Sequence, residues 1–349
     1  MFREIRPLAI GLAAALAWTG AVAAAPLTDE PRKGADEGRI SPDPITSALE
    51  ARIQGKTGLG DVQVDVFWSR DGKATTARIF GDGVGIWQRE AQFELSNARV
   101  LDILKVIHKA RFGSMPDRFG EDEDGEKNEG PRLKGRLVVR AGTARKSTLQ
   151  LVDGEQSEGF SRLVEKILEI CRGPARKGIG AASMTDALGL LASGRLSAQV
   201  LEAAFQRRPD PKSRGGPAQG WTLRLAGLHV TEQRINPGKP PSPARELELS
   251  PAELRELAAL LSAADPSALP QSLYAANYTD FTIEIFKYSR TITGRRFLGM
   301  TPETHGEKQK AFDRICAAFE ALHARVEKGG APSPPPPPAA TGTELPGVL

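Results

Sequence analysis

His305 stands in the stretch PETHGE, with Glu303 and Glu307 flanking it. One imidazole and two carboxylates on a short loop form a donor set for a divalent cation, but nothing in the spacing fixes their geometry, so a solvated loop is the plainer reading. His108 and His323 fall at the margins of apolar helical stripes and read as boundary residues. His229 lies in a strand-like run. A hydrolase built on His305 or His229 stays open, because a nucleophile, a base and an acid are assembled in space rather than in sequence. The chain has no HExxH, no paired CxxC, no Walker loop and no GxSxG. GDGVG, Gly81–Gly85, opens no helix and reads as a turn or bulge rather than a phosphate cradle. The acidic run EDEDGEKNE, Glu121–Glu129, places its glycine too early for an EF-hand and reads as a solvated insertion. None of these patterns calls for a cofactor or a resident metal.

The cations are grouped more tightly. PRLKGRLVVRAGTARK, Pro131–Lys146, contains Arg136, Arg140, Arg145 and further cations but no acid. In a strand, Arg136 and Arg140 share one face while Leu137 and Val139 share the other. The matching later segment carries Lys287, Arg290 and Arg295. Arg136, Arg140, Lys287, Arg290 and Arg295 are therefore the candidate contacts for an anionic envelope polymer or an acidic protein surface. The competing reading is the solvated face of a half-covered sheet. A formal charge of +4 is mild for a dedicated nucleic-acid binder, so no nucleic acid is expected.

These residues must be held by elements that the chain writes twice. FELSNARVLDILKVIHKARFGSMP, Phe93–Pro116, and LELSPAELRELAALLSAADPSALP, Leu247–Pro270, align without a gap at a constant spacing of 154 residues. Ser96 falls on Ser250, Val100 on Leu254 and Pro116 on Pro270, which reads as an internal duplication. Ser250 caps a helix, Pro251 opens it and Glu253 completes a capping box; Arg99 replaces that glutamate in the first copy. Alternating Val62, Val64, Val66 and Trp68 precede the first helix, and Asp71-Gly72 turns them into a hairpin. A second strand pair and an amphipathic helix follow in each half.

The predicted fold is α+β. Two tandem repeats of hairpin-helix-hairpin-helix, at 59–174 and 221–328, each form an antiparallel sheet with helices on one face, joined by a short helical linker at 175–220. Residues 1–24 read as a signal peptide, with Arg3 and Arg6 before an apolar run and small residues at the cleavage site. Residues 25–58 read as a disordered or linker segment, and 329–349 as a Pro-rich disordered tail. An exported, periplasmic or secreted protein with no transmembrane helix after signal removal is expected. Export also permits a disulfide between Cys171 and Cys316; two separate buried thiols are the equal alternative.

The second half, from Trp221 to Leu322, resembles the emfourin-like family of small bacterial inhibitors of thermolysin-type metalloproteases. LELSPAELRELAALLSAADPSALP, then TDFTIEIF, then FDRICAAFEAL carry the resemblance, and the first half echoes it more faintly. It implies an α+β sheet-and-helix unit and a protein partner. The family's members are single domains, so a duplicated, exported chain departs from the pattern. No inhibitory loop matches residue by residue. The expectation is a non-catalytic binding protein, with the polymer-binding envelope protein and the hydrolase as alternatives.

Overall fold

The computed structural model describes residues 43–329 apart from 71, 121–132, 153–156, 209–219, 236–241, 276 and 296–300. The signal peptide, the acidic insertion and all but the first residue of the Pro-rich tail lie outside the described residues.

The first half opens with α1 (Pro44–Ile53). Asp43 accepts a hydrogen bond from Ile45 N at 2.8 Å and Pro44 takes the first helical position, so both start signals are present. The segment expected to be a linker therefore holds a helix that buries Ile45 and Leu49. Four strands follow as a meander: β1 (Val62–Arg70), β2 (Lys73–Phe80), β3 (Val84–Trp87) and β4 (Ala91–Glu94). Then come α2 (Asn97–Lys109), the short β5 (Arg118–Phe119), the hairpin β6 (Leu133–Ala141) and β7 (Ala144–Leu151), α3 (Glu158–Ala175) and the two-residue β8 (Ile179–Gly180). The second half repeats the order: α4 (Met184–Ala192), β9 (Leu201–Arg208), β10 (Gly220–Ala226), β11 (His229–Ile235), β12 (Arg245–Glu248), α5 (Pro251–Ala264), β13 (Ser272–Tyr274), β14 (Tyr278–Ile285), β15 (Tyr288–Arg295) and α6 (Glu307–Glu327).

The sheets run β5-β7-β6-β1-β2-β3-β4-β8 and β13-β15-β14-β9-β10-β11-β12. Strand for strand the order is the same, and among the described residues only β8 lacks a counterpart. The chain is α+β, with the same unit twice. Two features of the expected plan need correction. The meander before α2 or α5 has four strands rather than two. Among its described residues the helical linker holds one α-helix, and LEAAFQRR is β9, the central strand of the second sheet. Its Leu201, Ala203 and Phe205 are buried while Glu202, Ala204 and Gln206 are not, a period of two that helix-forming residue types had masked.

Each half has its own core. Val62, Val64, Val66, Leu137 and Val139 meet Ile45, Ile103, Ile107, Phe160 and Ile167 in the first. Leu201, Phe205, Leu223, Phe281 and Ile283 meet Leu188, Leu254, Leu261, Phe312 and Phe319 in the second. The halves solve one packing problem in opposite ways. Phe160 and Phe312, at the start of the last helices, press on the sheet where it can carry only one side chain of a cross-strand pair. In the first half the glycine is on β6: Gly135 faces Gln150, and a Cβ on it would stand 2.6 Å from the Trp68 ring and 3.1 Å from Phe160. In the second half it is on β15: Gly294 faces Thr279, and a Cβ would stand 2.9 Å from Phe312. Both distances are tighter than packed side chains tolerate.

Candidate functional site: the outer faces of the sheets

Helices cover one face of each sheet, so strand alternation sends every second side chain to the other face. On the first sheet this outer face carries Gln63, Asp65 and Phe67 from β1, Arg78 from β2, Ile86 from β3, Arg136, Val138 and Arg140 from β6, and Arg145 and Leu149 from β7. On the second it carries Glu202, Ala204 and Gln206 from β9 and Asp280, Thr282 and Glu284 from β14.

Part of the first outer face is spent on joining the halves. Arg78 Nε donates to Asp65 at 2.7 Å and its Nη1 to Glu202 at 3.1 Å. Arg89, in the β3–β4 turn, donates to Glu284 at 2.9 Å, and Lys287, in the β14–β15 turn, to Glu90 at 3.1 Å. Glu202 and Glu284 face each other across β9 and β14, a like-charge pair that would repel without these cations. Burial pushes the Glu202 carboxyl up and Arg78 pulls it down; burial wins, and it sits above its ordinary value. Burial pulls the Arg78 guanidinium down, but Asp65 and Glu202 more than offset this and hold it above its ordinary value. Gln92 accepts from Ser197 N at 2.7 Å and Tyr288 donates to the Ala181 carbonyl at 2.8 Å. Ile86, Ile179 and Ala181 pack on the second core.

The five candidate cations therefore separate. Arg136 and Arg140 lie on the part of the first outer face beyond this junction. Arg140 faces Arg145 directly across β6 and β7, and both are exposed. Arg136 faces Phe67 and Leu149, and its Nε is buried without a hydrogen-bond partner. No ion pair ties these three arginines to a described residue. Lys287 is instead part of the junction. Arg290 faces Ile283 on the helix-covered side and donates to the Leu269 carbonyl, so it is a structural tie, as is Lys146 in the first half, which reaches Asp117 at 2.6 Å. Arg295 stacks on Tyr278, 5.6 Å from the ring centroid. The alternation rule was sound, but the register of β15 puts Arg290 on the core side, and nothing in the sequence marks β14–β15 as the contact between halves.

The remaining chemistry-bearing groups are dispersed. His305 is half-buried in the turn before α6. Glu303 is held below the usual carboxylate range by Thr301, and Glu307 by Lys310. Among the described residues no three His, Cys, Asp or Glu side chains gather to hold a metal. A group the sequence reading missed is buried under α6. Glu232 is 1% exposed, 3.6 Å from His323 Nε2 and 3.8 Å from Arg234 Nε, and His323 stacks on Trp221 at 4.0 Å. By register Glu232 takes the place of Trp87 and Arg207 that of Trp68. The second half thus has charges where the first has aromatics, but Glu232 does not line either of two grooves found among the described residues. The larger groove, about 740 Å³, lies between β4, the start of α2 and the end of α3, with Arg99 and Lys177 on its walls.

Cys171 and Cys316 are both free; each belongs to its own half's last helix, and the disulfide alternative is not realised. Burial pushes both thiols up to about 12. Reaction with a thiol reagent at pH 8 is expected to be slow in the native protein and to yield two equivalents on unfolding, since the thiolate is the reactive form. Rapid native labelling of Cys171 would contradict this placement.

No protein-family model matches the chain, and no curated protein matches it. Among the described residues, no helix is long and apolar enough to cross a membrane.

Proposed function

We propose that the chain is an exported, non-catalytic binding protein, and that the free part of the first sheet's outer face receives an acidic protein partner. One observation carries the reading: among the described residues Arg136, Arg140 and Arg145 have no acidic partner, and they are interleaved with the half-buried Phe67 and Leu149. Arginine beside apolar surface is the composition of interface centres, where a guanidinium pairs with carboxylates and the apolar groups supply area. The exported location rests on the charged, apolar and small-residue order of the first 24 residues.

The test is capture of partners from secreted and periplasmic extract by the mature protein and by the Arg140→Glu/Arg145→Glu variant. The reading expects one stoichiometric protein, retained at high salt by wild type and bound at least about tenfold more weakly by the variant, the effect of losing ~1.4 kcal/mol at an interface arginine. If the partner is a thermolysin-type metalloprotease, as the resemblance of the second half implies, its activity falls on binding. The facing pair Arg140 and Arg145 also favours a second reading, retention of an anionic envelope polymer. That reading expects only polyanions, released as salt rises, and its success would displace the first.

A further inference from the structure

A duplicated unit has two equivalent outer edges, and among the described residues a strand covers only one of them. In the first half the edge of β4 is taken by β8, antiparallel, with Gly180 opposite Ala91 and Ile179 opposite Gln92. The approach is close: a Cβ on Gly178 would stand 2.6 Å from the Gln92 carbonyl oxygen. In the second half β12 holds the place of β4. Its inner edge pairs with β11, Glu248 opposite His229, Leu247 opposite Val230 and Arg245 opposite Glu232. Among the described residues no strand lies on its outer edge. Such an edge presents backbone donors and acceptors to any extended chain that reaches it.

We propose that the outer edge of β12 is a docking site for an extended, basic segment of a partner protein, which adds to β12 as β8 adds to β4. The charge follows from the pleat. Leu247 is buried on the core side, so Glu246 and Glu248 project on the other, both exposed and neither in an ion pair with a described residue. A strand in the β8 register sets alternate residues against these two carboxylates, where opposite charge is favourable. In the first half Lys177, in the turn before β8, lines the same groove as Glu94, the equivalent of Glu248. A second copy is the wrong occupant. Two β12 strands laid antiparallel with both Leu247 side chains on their core sides set glutamate against glutamate, which is unfavourable in every such register.

The probe is a labelled peptide with the sequence of residues 176–181 in which Ile179 is replaced by lysine, Arg-Lys-Gly-Lys-Gly-Ala, so that the β8 register sets one lysine against Glu248 and one against Glu246; it is titrated into the full-length protein. Binding is followed by fluorescence anisotropy, and hydrogen exchange is read at Arg245–Glu248. The expected result is saturable binding with slowed exchange at these amides, roughly tenfold weaker for Glu246→Lys/Glu248→Lys, and no binding by the same peptide N-methylated at every residue. The charge-reversed residues are exposed, so the variant retains the fold; unchanged exchange in both cores checks this. Absence of saturable binding, binding without slowed exchange on β12, or equal binding by the charge-reversed variant would each overturn the proposal. So would protection of β12 that rises with protein concentration alone, which would make the occupant a second copy.

Discussion

Replacing Arg78 by Ala is expected to destabilise the protein by about 2–3 kcal/mol and to loosen the contact between its halves. One guanidinium serves Asp65 of its own sheet and Glu202 of the other, and all three side chains are about a quarter exposed. Removing the cation leaves Asp65 partly buried without it and leaves Arg89 alone to offset the repulsion of Glu202 and Glu284; the value lies below the full cost of orphaning a buried charge because solvent still reaches the site. The pH dependence gives the diagnostic sign. Glu202 already sits above its ordinary value. A raised carboxylate contributes stability fully below the unfolded value of 4.5 and loses it as pH rises through the folded value. Without Arg78 that folded value rises further, so the deficit should be larger at pH 7.5 than at pH 5. Urea unfolding at the two pH values measures it, and Glu202→Gln added to Arg78→Ala should recover part of the loss. A deficit that is equal at both pH values, with no recovery, would assign the role of Arg78 to packing of its stem alone.

Phe319→Ala is expected to cost about 3–5 kcal/mol. Phe319 lies at the centre of the second core, fully buried, with its ring 5.4 Å from that of Phe205 and 5.3 Å from that of Phe281. Deleting it removes contacts with two adjacent strands, β9 and β14, and leaves a cavity that rigid neighbours cannot fill. Because the first half closes its own core around Ile103, Leu137 and Ile167, hydrogen exchange should rise through β9, β10, β14 and α6 while β1 and β6 keep most of their protection. Uniform loss across both halves would show that the junction makes them a single cooperative unit.

The duplication was legible because its most repetitive part is governed by local rules. Ser96 and Ser250 cap their helices as the sequence implies, and the capping box of Ser250 and Glu253 is present. The hairpins β1–β2 and β6–β7 follow from alternation. What escaped had no local signature. LEAAFQRR is made of residues that favour helix, and it becomes β9 because strands on both sides recruit it, a tertiary override of propensity. The strands β3 and β4 are only four residues each, too short for alternation to register. Among the candidate cations, Arg136 and Arg140 were placed rightly because a single strand settles which side they share. Lys287 and Arg290 were not, because their roles depend on which turn meets the other half and on a register set by β14. The Glu232–His323 pair was invisible, since only the pairing of β10 with β11 puts that carboxylate under α6.

The opposite glycine solutions at Gly135 and Gly294 bear on how the chain avoids assembling itself wrongly. Two linked units with one strand order invite exchange, in which β14 fills the slot of β6 while the chain is still partly folded. In that slot Thr279 would take the position of Gly135, beneath the Trp68 ring, where even a first side-chain carbon is too close. The reverse exchange would set Gly135 opposite Gly294 and leave a void beside Phe312. Divergence at this one cross-strand pair therefore disfavours exchange of β6 and β14 between the halves.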